Sequence, residues 1–247
     1  MHDILLWHLD VPEERSFLES MYIIMLIRLA EEKLNVKYRR ILDVACGVGR
    51  HHRYLRDAGF NVYGIDVNRS LIEEARRRNP GFEECYEVAD MRELKYRGEF
   101  DVVLNWYTSF GYFSDEENRL VLRNFYEALK PGGLLIMDLP ARWHESASLI
   151  EHGEDLVEVI TNKRIDDYVF DYCGRLYRRR GNDLVYLGEL RLRLTVYPPA
   201  VLKDMLEEAG FKLLYAFLNY SVVPVRSFRP EEILERNVRR IAWLAHK

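Results

Sequence analysis

Three acidic residues lie in or directly after successive apolar segments in the first half of the chain. The segments are 41–45, 62–66 and 82–88, and the acids are Asp43, Asp66 and Asp90. A carboxylate at the end of a second strand can accept hydrogen bonds from both ribose hydroxyls of an adenosine group. We therefore assign Asp66 to a ribose and Asp90 to an adenine amino group. Asp66 can also cap the helix that begins near Asn68, and the two roles are compatible.

A small-residue turn, Cys46-Gly47-Val48-Gly49-Arg50, follows the first of these segments. Small residues between a strand and a helix let a ligand approach the backbone and expose the amides of the helix N-terminus. A tight turn that binds nothing also uses glycine, so the turn alone leaves both interpretations open. His52 stands where a dinucleotide-binding motif has its third glycine, and no lysine completes a phosphate cradle. This combination favours a ligand that contains adenosine without pyrophosphate.

The segment NWYTSFGYF follows the apolar run that ends at Leu104, and five of its nine residues are aromatic. The side-chain oxygen of Asn105 can accept a hydrogen from an amine and so aim the nitrogen lone pair. Tyr107 can stack on a flat acceptor, and we treat it with Asn105 as a candidate catalytic residue. Three other rings of this segment either line the acceptor pocket or fill the core beneath the next helix: Trp106, Phe110 and Tyr112.

Four short motifs resemble, in order and spacing, those of the class I S-adenosylmethionine-dependent methyltransferases. They are D-V-A-C-G-V-G at 43–49, G-I-D at 64–66, A-D-M at 89–91 and L-K-P-G-G at 129–133. The resemblance covers about residues 40–140 and, more loosely, the C-terminal strands. It implies S-adenosylmethionine as the cofactor, and methyl transfer needs alignment of a nucleophile and exclusion of water rather than a metal. We therefore expect no metal ion.

The resemblance also implies which residues hold the cofactor. They are Asp43, Ala45, Gly47 and Gly49 around the methionine part, Asp66 at the ribose, Asp90 and Met91 at the adenine, and Asn105. Two positions depart from the family's pattern. Ala45 replaces the first of three glycines, and Trp106-Tyr107-Thr108 replaces the prolines and the final aromatic residue that follow the first position of the motif in amino-group methyltransferases.

Short apolar strands alternate with helical segments over residues 40–139, which predicts a parallel sheet of βαβ units. The predicted fold class is α/β: a Rossmann-like sheet with helices on both faces, plus an inserted antiparallel β extension. We expect a single methyltransferase domain, 1–247, with a helical lid over 1–37 and an antiparallel β subdomain over 141–197. The lid's apolar positions are Phe17, Met21, Ile24, Leu26 and Leu29, and the β hairpin turns at Gly181-Asn182-Asp183.

Composition bounds the class of protein. The net charge is −4, and 48% of the 247 residues are hydrophobic, so a sizeable core is available and no global attraction to nucleic acid exists. The chain has no apolar run long enough to span a membrane and no signal peptide, so we expect a cytoplasmic enzyme. Its three cysteines lack the spacing of a disulfide framework or zinc site.

The acceptor is harder to choose. Segments such as D-M-R-E-L and S-F-G-Y-F resemble those of stand-alone N-methyltransferases, which include amino-sugar enzymes and enzymes that dimethylate cytosine N4 in ribosomal RNA. Residues 175–193 carry a local charge of +4 and residues 221–247 one of +3. Basic surfaces beside an aromatic pocket suit a splayed RNA base. We therefore expect an exocyclic amine of an RNA base, with RNA or a ribosomal subunit as partner; the alternative is a small-molecule amine.

Six residues are candidates for binding the acceptor, and three of them are the rings named above. The other three are His144, Arg178 and Arg179. A solvated, salt-bridged face explains the arginines equally well, and a lone histidine is more often a hydrogen-bonded surface residue. An inactive protein that only binds S-adenosylmethionine is disfavoured by the intact series of acids.

Overall fold

Within the described residues, the central sheet has seven strands, which lie side by side in the order 212–218, 240–246, 129–140, 100–105, 40–44, 61–66 and 86–88. A computed structural model describes residues 11–221 and 237–247. The strands are β1 (Arg40–Val44), β2 (Asn61–Asp66), β3 (Tyr86–Val88), β4 (Phe100–Asn105), β5 (Leu129–Pro140), β10 (Lys212–Leu218) and β11 (Arg240–His246). β1 to β5 are mutually parallel, whereas β11 runs antiparallel to both β5 and β10.

Helices cover both faces of this sheet because successive strand residues point to opposite sides and both sides are apolar. The helices are α1 (Glu13–Leu34), α2 (His52–Asp57), α3 (Arg69–Arg78), α4 (Asp115–Ala128) and α5 (Pro199–Glu208). In β4, Val103 packs in the core beneath α4 and α5, whereas Val102 and Leu104 pack in the core beneath α1. The predicted α/β fold class is confirmed.

A second sheet of four antiparallel strands lies between β5 and α5 in the chain. Its strands are β6 (Ser146–His152), β7 (Leu156–Arg164), β8 (Val169–Arg180) and β9 (Asp183–Thr195), paired in that order. The hairpin between β8 and β9 turns at Gly181 with φ 61, as predicted. The sheet joins the main fold where Thr195 N donates to Gly111 O at 2.7 Å. The division of the chain into domain, lid and subdomain stays a prediction.

Two local expectations are corrected. The segment 82–88 begins with a 3-10 turn at Glu83–Cys85, so β3 is only three residues long. On α1, the predicted apolar position Leu26 is fully buried, but Phe17 and Met21 are 43% and 38% exposed, and the rest of the buried face is Ile23, Ile27 and Ala30. Residues 1–10 of the predicted lid lie outside the described residues. In the described ranges, no helix combines the length and apolarity needed to cross a membrane.

Candidate active site

The carboxyl ends of the parallel strands gather most of the predicted residues at one edge of the sheet. Asp66 ends β2 opposite Val88 of β3, and Asn105 ends β4 opposite Met137 of β5. Asp43, on β1, pairs in register with Leu104 of β4. Open α/β sheets bind ligands at this edge, because the strand-to-helix loops there leave a crevice.

The turn after β1 has three residues in the left-handed conformation, which glycine adopts readily and alanine does not. Ala45, Gly47 and Gly49 have φ of 60, 55 and 65, and an added Cβ at Gly49 would lie 2.7 Å from the hydroxyl of Tyr86. Asp66 fastens this turn to β2, because its Oδ2 accepts from Gly47 N at 3.0 Å. The turn therefore presents its backbone beside the Asp66 carboxylate.

The carboxylate of Asp66 is 8% exposed, and burial raises its pKa above the ordinary value. Its Oδ1 accepts from Asn68 N at 2.9 Å. The N-cap of α3 is Asn68 itself, whose side chain accepts from Ser70 N and Leu71 N. Asp66 is therefore not the N-cap itself but binds the residue that is. Each of its carboxylate oxygens keeps a lone pair that can accept a hydrogen bond from a hydroxyl of a ligand.

Asp43 is 3% exposed and bonds to a histidine that the sequence had linked to no partner. His52 is fully buried, and its Nε2 lies 3.0 Å from Asp43 Oδ2. The His52 ring stacks on Tyr86, with centroids 5.0 Å apart and planes at 11°. The position of a missing third glycine is thus taken by a side chain that fixes the orientation of Asp43.

Asp90 and Met91 lie at the start of a 3-10 turn after β3. The Asp90 carboxylate accepts from Arg92 N at 2.8 Å and pairs with the Arg92 guanidinium at 2.7 Å, which lowers its pKa. Arg92 also lies over Phe113, 4.3 Å from the ring centre. Met91 packs against the core beneath α4. The adenine contact predicted for Asp90 would therefore be made by a carboxylate that is already charge-paired.

Asn105 is fully buried at the end of β4. Its Nδ2 donates to Val44 O at 3.1 Å and to Ser109 O at 3.0 Å, whereas its Oδ1 finds no hydrogen-bond partner among the described residues. Two of the next three residues, Tyr107 and Thr108, have φ of 61 and 64. A left-handed conformation costs a residue with a Cβ roughly 1–2 kcal/mol, so two in succession mark a loop held under strain.

The rings of the loop divide into buried and accessible ones. Trp106 and Phe110 are 3% and 2% exposed and pack in the two cores of the sheet. Tyr112 is half-buried and packs against Phe170 of β8, and its hydroxyl donates to Thr108 O at 2.7 Å. Tyr107 is half-buried. Tyr107 and Tyr112 therefore retain surface for an acceptor, and the predicted stacking role stays a prediction.

A network of charged residues around this loop was missed by sequence reasoning. Glu19 of α1 accepts from Arg15 Nε at 2.8 Å, Arg50 Nη2 at 2.5 Å and Trp106 Nε1 at 3.1 Å. Burial alone would raise the pKa of Glu19, but hydrogen bonds from His51 and Arg50 bring it far below its ordinary value. Asp138, near the end of β5, is fully buried and binds Arg240. No motif signals the contacts that Glu19 makes with Arg50 and Trp106 or that Asp138 makes with Arg240, since their members lie 31, 87 and 102 positions apart.

Three predicted acceptor residues lie away from this edge or at its rim. His144 is exposed in the segment after β5. Arg178 and Arg179 are exposed near the far end of β8, about 27 Å along the strand from Phe170 at ~3.4 Å per residue. Arg179 is paired with Glu151 at 2.6 Å. Their predicted roles stay predictions, and they do not join the cluster at the sheet edge.

The basic stretches that suggested RNA are partly neutralised. In the four-stranded sheet, Arg175 pairs with Glu189 at 3.1 Å and Arg191 with Asp171 at 3.5 Å. In the C-terminal stretch, Arg240 is engaged by Asp138. Three further arginines of that stretch lie outside the described residues: Arg226, Arg229 and Arg236.

Comparison with known proteins places this site in context. A family model described as a methyltransferase domain matches residues 41–133. The chain is 30% identical to the putative methyltransferase YqeM of Bacillus subtilis over 186 residues, which cover 70% of this chain and 74% of that protein. It is 29% identical over 99 residues to a dTDP-3-amino-3,4,6-trideoxy-alpha-D-glucopyranose N,N-dimethyltransferase of Streptomyces venezuelae, a match that spans 40% of this chain and only 41% of that relative.

Among solved structures, the fold is similar to that of CalS10, an amino pentose methyltransferase from Micromonospora echinaspora determined with S-adenosylmethionine bound. The TM-score is 0.70 at 19% identity, with 94% of this chain and 91% of the other covered. The similarity therefore includes the four-stranded sheet as well as the seven-stranded one.

Proposed function

Because the chain belongs to the class I S-adenosylmethionine-dependent methyltransferases, we propose that it transfers methyl groups from this cofactor to the amino nitrogen of a small organic molecule. Amino sugars are the first class of acceptor to consider, since the names of two similar proteins specify amino-sugar substrates. A small-molecule amine is thus preferred to an RNA base as the methyl acceptor.

The residues at the sheet edge fit the cofactor. The left-handed turn 45–49 exposes backbone to a ligand, and Asp66 offers acceptor lone pairs for ribose hydroxyls. Asp43, oriented by His52, provides an anion for the ammonium of the methionine part. When bound, the cofactor supplies an electrophilic methyl group on a sulfonium. The protein's task is to orient an amine towards it and to exclude water.

The observation that carries the acceptor chemistry is the side-chain oxygen of Asn105. It is buried, lacks a hydrogen-bond partner among the described residues, and lies at the edge where β1 and β4 end. A buried acceptor without a partner is costly, so a donor on the acceptor molecule gains by reaching it. An amine hydrogen held there would direct the nitrogen lone pair away from Asn105. The strained Tyr107 beside it can pack on the acceptor's carbon frame.

RNA is the weaker candidate because the features that suggested it do not converge on this edge. Arg178 and Arg179 lie towards the far end of β8, and several arginines of the four-stranded sheet are paired with acids. Surface charge of that kind contributes little to binding a polyanion once it is neutralised. No similar protein named above has an RNA substrate in its name.

The test is transfer of label from S-adenosylmethionine to defined acceptors. The full chain is incubated with a panel of amino sugars and small amines and, separately, with ribosomal subunits. We expect label in the small-molecule fraction only. Label confined to RNA would overturn the proposal, and absence of S-adenosylmethionine binding by calorimetry would overturn any enzymatic function.

The role of Asn105 is tested by Asn105→Ala. We expect kcat to fall about 100-fold while cofactor affinity is largely kept, because misorientation of a reacting group has that scale of effect. Asn118→Ala is the matched control: Asn118 is equally buried and its Oδ1 also lacks a partner, but it lies on α4. Equal turnover losses in the two variants would assign Asn105 a structural role only.

A further inference from the structure

Three arginines from distant parts of the chain surround the ring of Tyr107. The guanidinium carbons of Arg15, Arg50 and Arg240 lie 4.8, 5.4 and 5.2 Å from the ring centre. Arg15 comes from α1, Arg50 from the turn after β1, and Arg240 from the start of β11. Each pair of these cations is therefore within about 11 Å, close enough to repel strongly at a partly buried site.

Two carboxylates compensate this charge. Glu19 binds both Arg15 and Arg50, and Asp138 binds Arg240 through Nε and Nη2. His51 also contacts Glu19, but burial lowers its pKa, so it is neutral near pH 7 and adds no charge. Among the described residues in this network, three cations thus face two anions. These three arginines and two carboxylates therefore carry a net charge of +1 at the rim of the active site.

That charge is partly removed from water. The side chains of Arg50 and Arg240 are only 13% and 21% exposed, whereas that of Arg15 is 47% exposed. Within the described parts of the chain, no hydrogen-bond partner is found for Nη1 of Arg240. A guanidinium with free Nη1–H groups beside a strained tyrosine suits an oxyanion, to which it can donate charge-assisted hydrogen bonds.

We propose that Arg15, Arg50 and Arg240 form a subsite for an oxyanion carried by the acceptor, next to the amine that is methylated. This inference rests on the proposed function, because it places the subsite beside Asn105. The oxygens recognised are those of a carboxylate or of a phosphate group. Tyr107 lies between the oxyanion subsite and the amine site. Its ring contacts the three arginines, and it follows Asn105 by two positions in the loop. An amine without a negative group would leave the surplus charge unpaired and would be a poor substrate.

The subsite is tested with two simple probes, acetate and inorganic phosphate, titrated into the full chain at constant ionic strength. Binding is followed by NMR on the arginine Nε–H signals. We expect saturable shifts for the three arginines, with Kd on the order of 1 mM for the better probe. Tighter binding of phosphate assigns the acceptor to phosphate-bearing amines, and tighter binding of acetate to amines with a carboxylate.

Arg15→Gln is the informative variant, because Arg15 is half exposed and its loss leaves Glu19 bound to Arg50. Loss of one charge-assisted contact should weaken probe binding about tenfold. Arg123→Gln, an exposed position on α4, makes the same change in net charge and should leave binding unchanged. Equal weakening by both variants, or no saturable shift at about 50 mM probe, overturns the subsite.

The outcome is separable from the proposed function. Acetate and phosphate binding need no methyl transfer, so a subsite that binds them survives a failure to find an amine substrate. Conversely, if an amine with a negative group is methylated, the same amine without that group provides a second measurement. Its KM should be about tenfold higher or more. In Arg15→Gln, the two amines should have the same KM. An unchanged KM between the paired amines contradicts the subsite while leaving amine methylation intact.

Discussion

The two halves of the sheet edge differ in how they are built. The cofactor half consists of Asp43, the turn 45–49, Asp66 and Asp90, which lie within fifty positions of one another. The acceptor half consists of the loop 105–108 and the Glu19 and Asp138 networks. Its contacts join residues far apart in the chain: Trp106 reaches Glu19 across 87 positions, and Arg240 reaches Asp138 across 102.

The halves also differ in charge. In the cofactor half, Asp43 and Asp66 are held by a histidine and by backbone amides, with no arginine among their hydrogen-bond partners in the described chain. They remain available as acceptors for a ligand's hydroxyls and ammonium. In the acceptor half, both named carboxylates, Glu19 and Asp138, are engaged by arginines, as only Asp90 is among the three named acids of the cofactor half, and the balance of the network is positive. The cofactor half thus suits a cofactor with hydrogen-bond donors, and the acceptor half suits a methyl acceptor with a negative charge.

The largest effect is expected from breaking the acceptor half at Arg240. Burial raises the pKa of Asp138, and Arg240 opposes this by holding the carboxylate at 2.6 Å. Arg240→Gln would leave a fully buried carboxylate without its cation, which typically costs about 3–5 kcal/mol of unfolding free energy. Urea denaturation measures the loss.

The four-stranded sheet provides the control for that variant. Arg175→Gln breaks the half-exposed pair with Glu189, and such pairs are worth only about 0–1 kcal/mol. If both variants lose the same unfolding free energy, the buried ion pair of the acceptor half contributes no more to stability than a surface pair. The proposed difference between the two regions would then be wrong.

The next effect concerns the cofactor half. Asp66→Asn removes the negative charge while keeping the shape of the side chain. Two hydroxyl bonds to a carboxylate are weakened, so we expect S-adenosylmethionine affinity to fall about 100-fold. Asp90→Asn should cost only about tenfold, because Arg92 already draws on the Asp90 carboxylate. Calorimetry on the full chain distinguishes the two, and a larger loss for Asp90 would reverse their assigned importance.

The cofactor half could be predicted from the sequence because its parts are adjacent in the chain. A strand, a small-residue turn and an acid at the next strand end form a pattern whose spacing is fixed by βαβ geometry. The bond between His52 and Asp43 was not predictable in the same way. The sequence shows that a glycine is missing there, but only packing of the ring on Tyr86 determines where its Nε2 points.

The acceptor half was largely missed. Asn105 and its aromatic neighbours were identified, but Glu19 and Arg240 carry no local signal. The exposed side of α1 was also assigned wrongly at Phe17 and Met21, because a helix with apolar residues around its circumference has no unique buried face until the sheet selects one. The hydrophobic periodicity of the helix does not show which of its faces the sheet will cover.

A smaller effect links the halves through His51, which lies in the turn region and contacts Glu19 at 3.2 Å. Burial lowers the pKa of His51, so the folded chain binds fewer protons than the unfolded chain just below pH 6.5. Stability therefore falls as pH drops through that window, by at most about 1.4 kcal/mol per pH unit. His51→Gln keeps a donor for Glu19 and should flatten this part of the profile.

Urea denaturation between about pH 5 and 7 measures the slope. His144→Gln, at an exposed position, should leave the slope as in the wild type. Identical slopes for wild type and His51→Gln would mean that folding does not shift the pKa of His51, whereas a wild type that gains stability as pH drops would mean that His51 is charged in the folded protein. In that case the network around Tyr107 would hold a further positive charge, and its surplus would be larger than the one inferred above.

The smallest expected effect tests strain in the cofactor half. Ala45 has φ 60, where the resembled family has glycine. Ala45→Gly removes a strain of roughly 1–2 kcal/mol and adds about 0.5–1 kcal/mol of backbone entropy cost, so unfolding free energy should rise by about 0.5 kcal/mol. Ala58→Gly, at φ −80, has no such strain to relieve and should lower it. A loss of stability at Ala45 comparable to that at Ala58 would show that the turn is unstrained and that left-handed strain does not extend to the cofactor half.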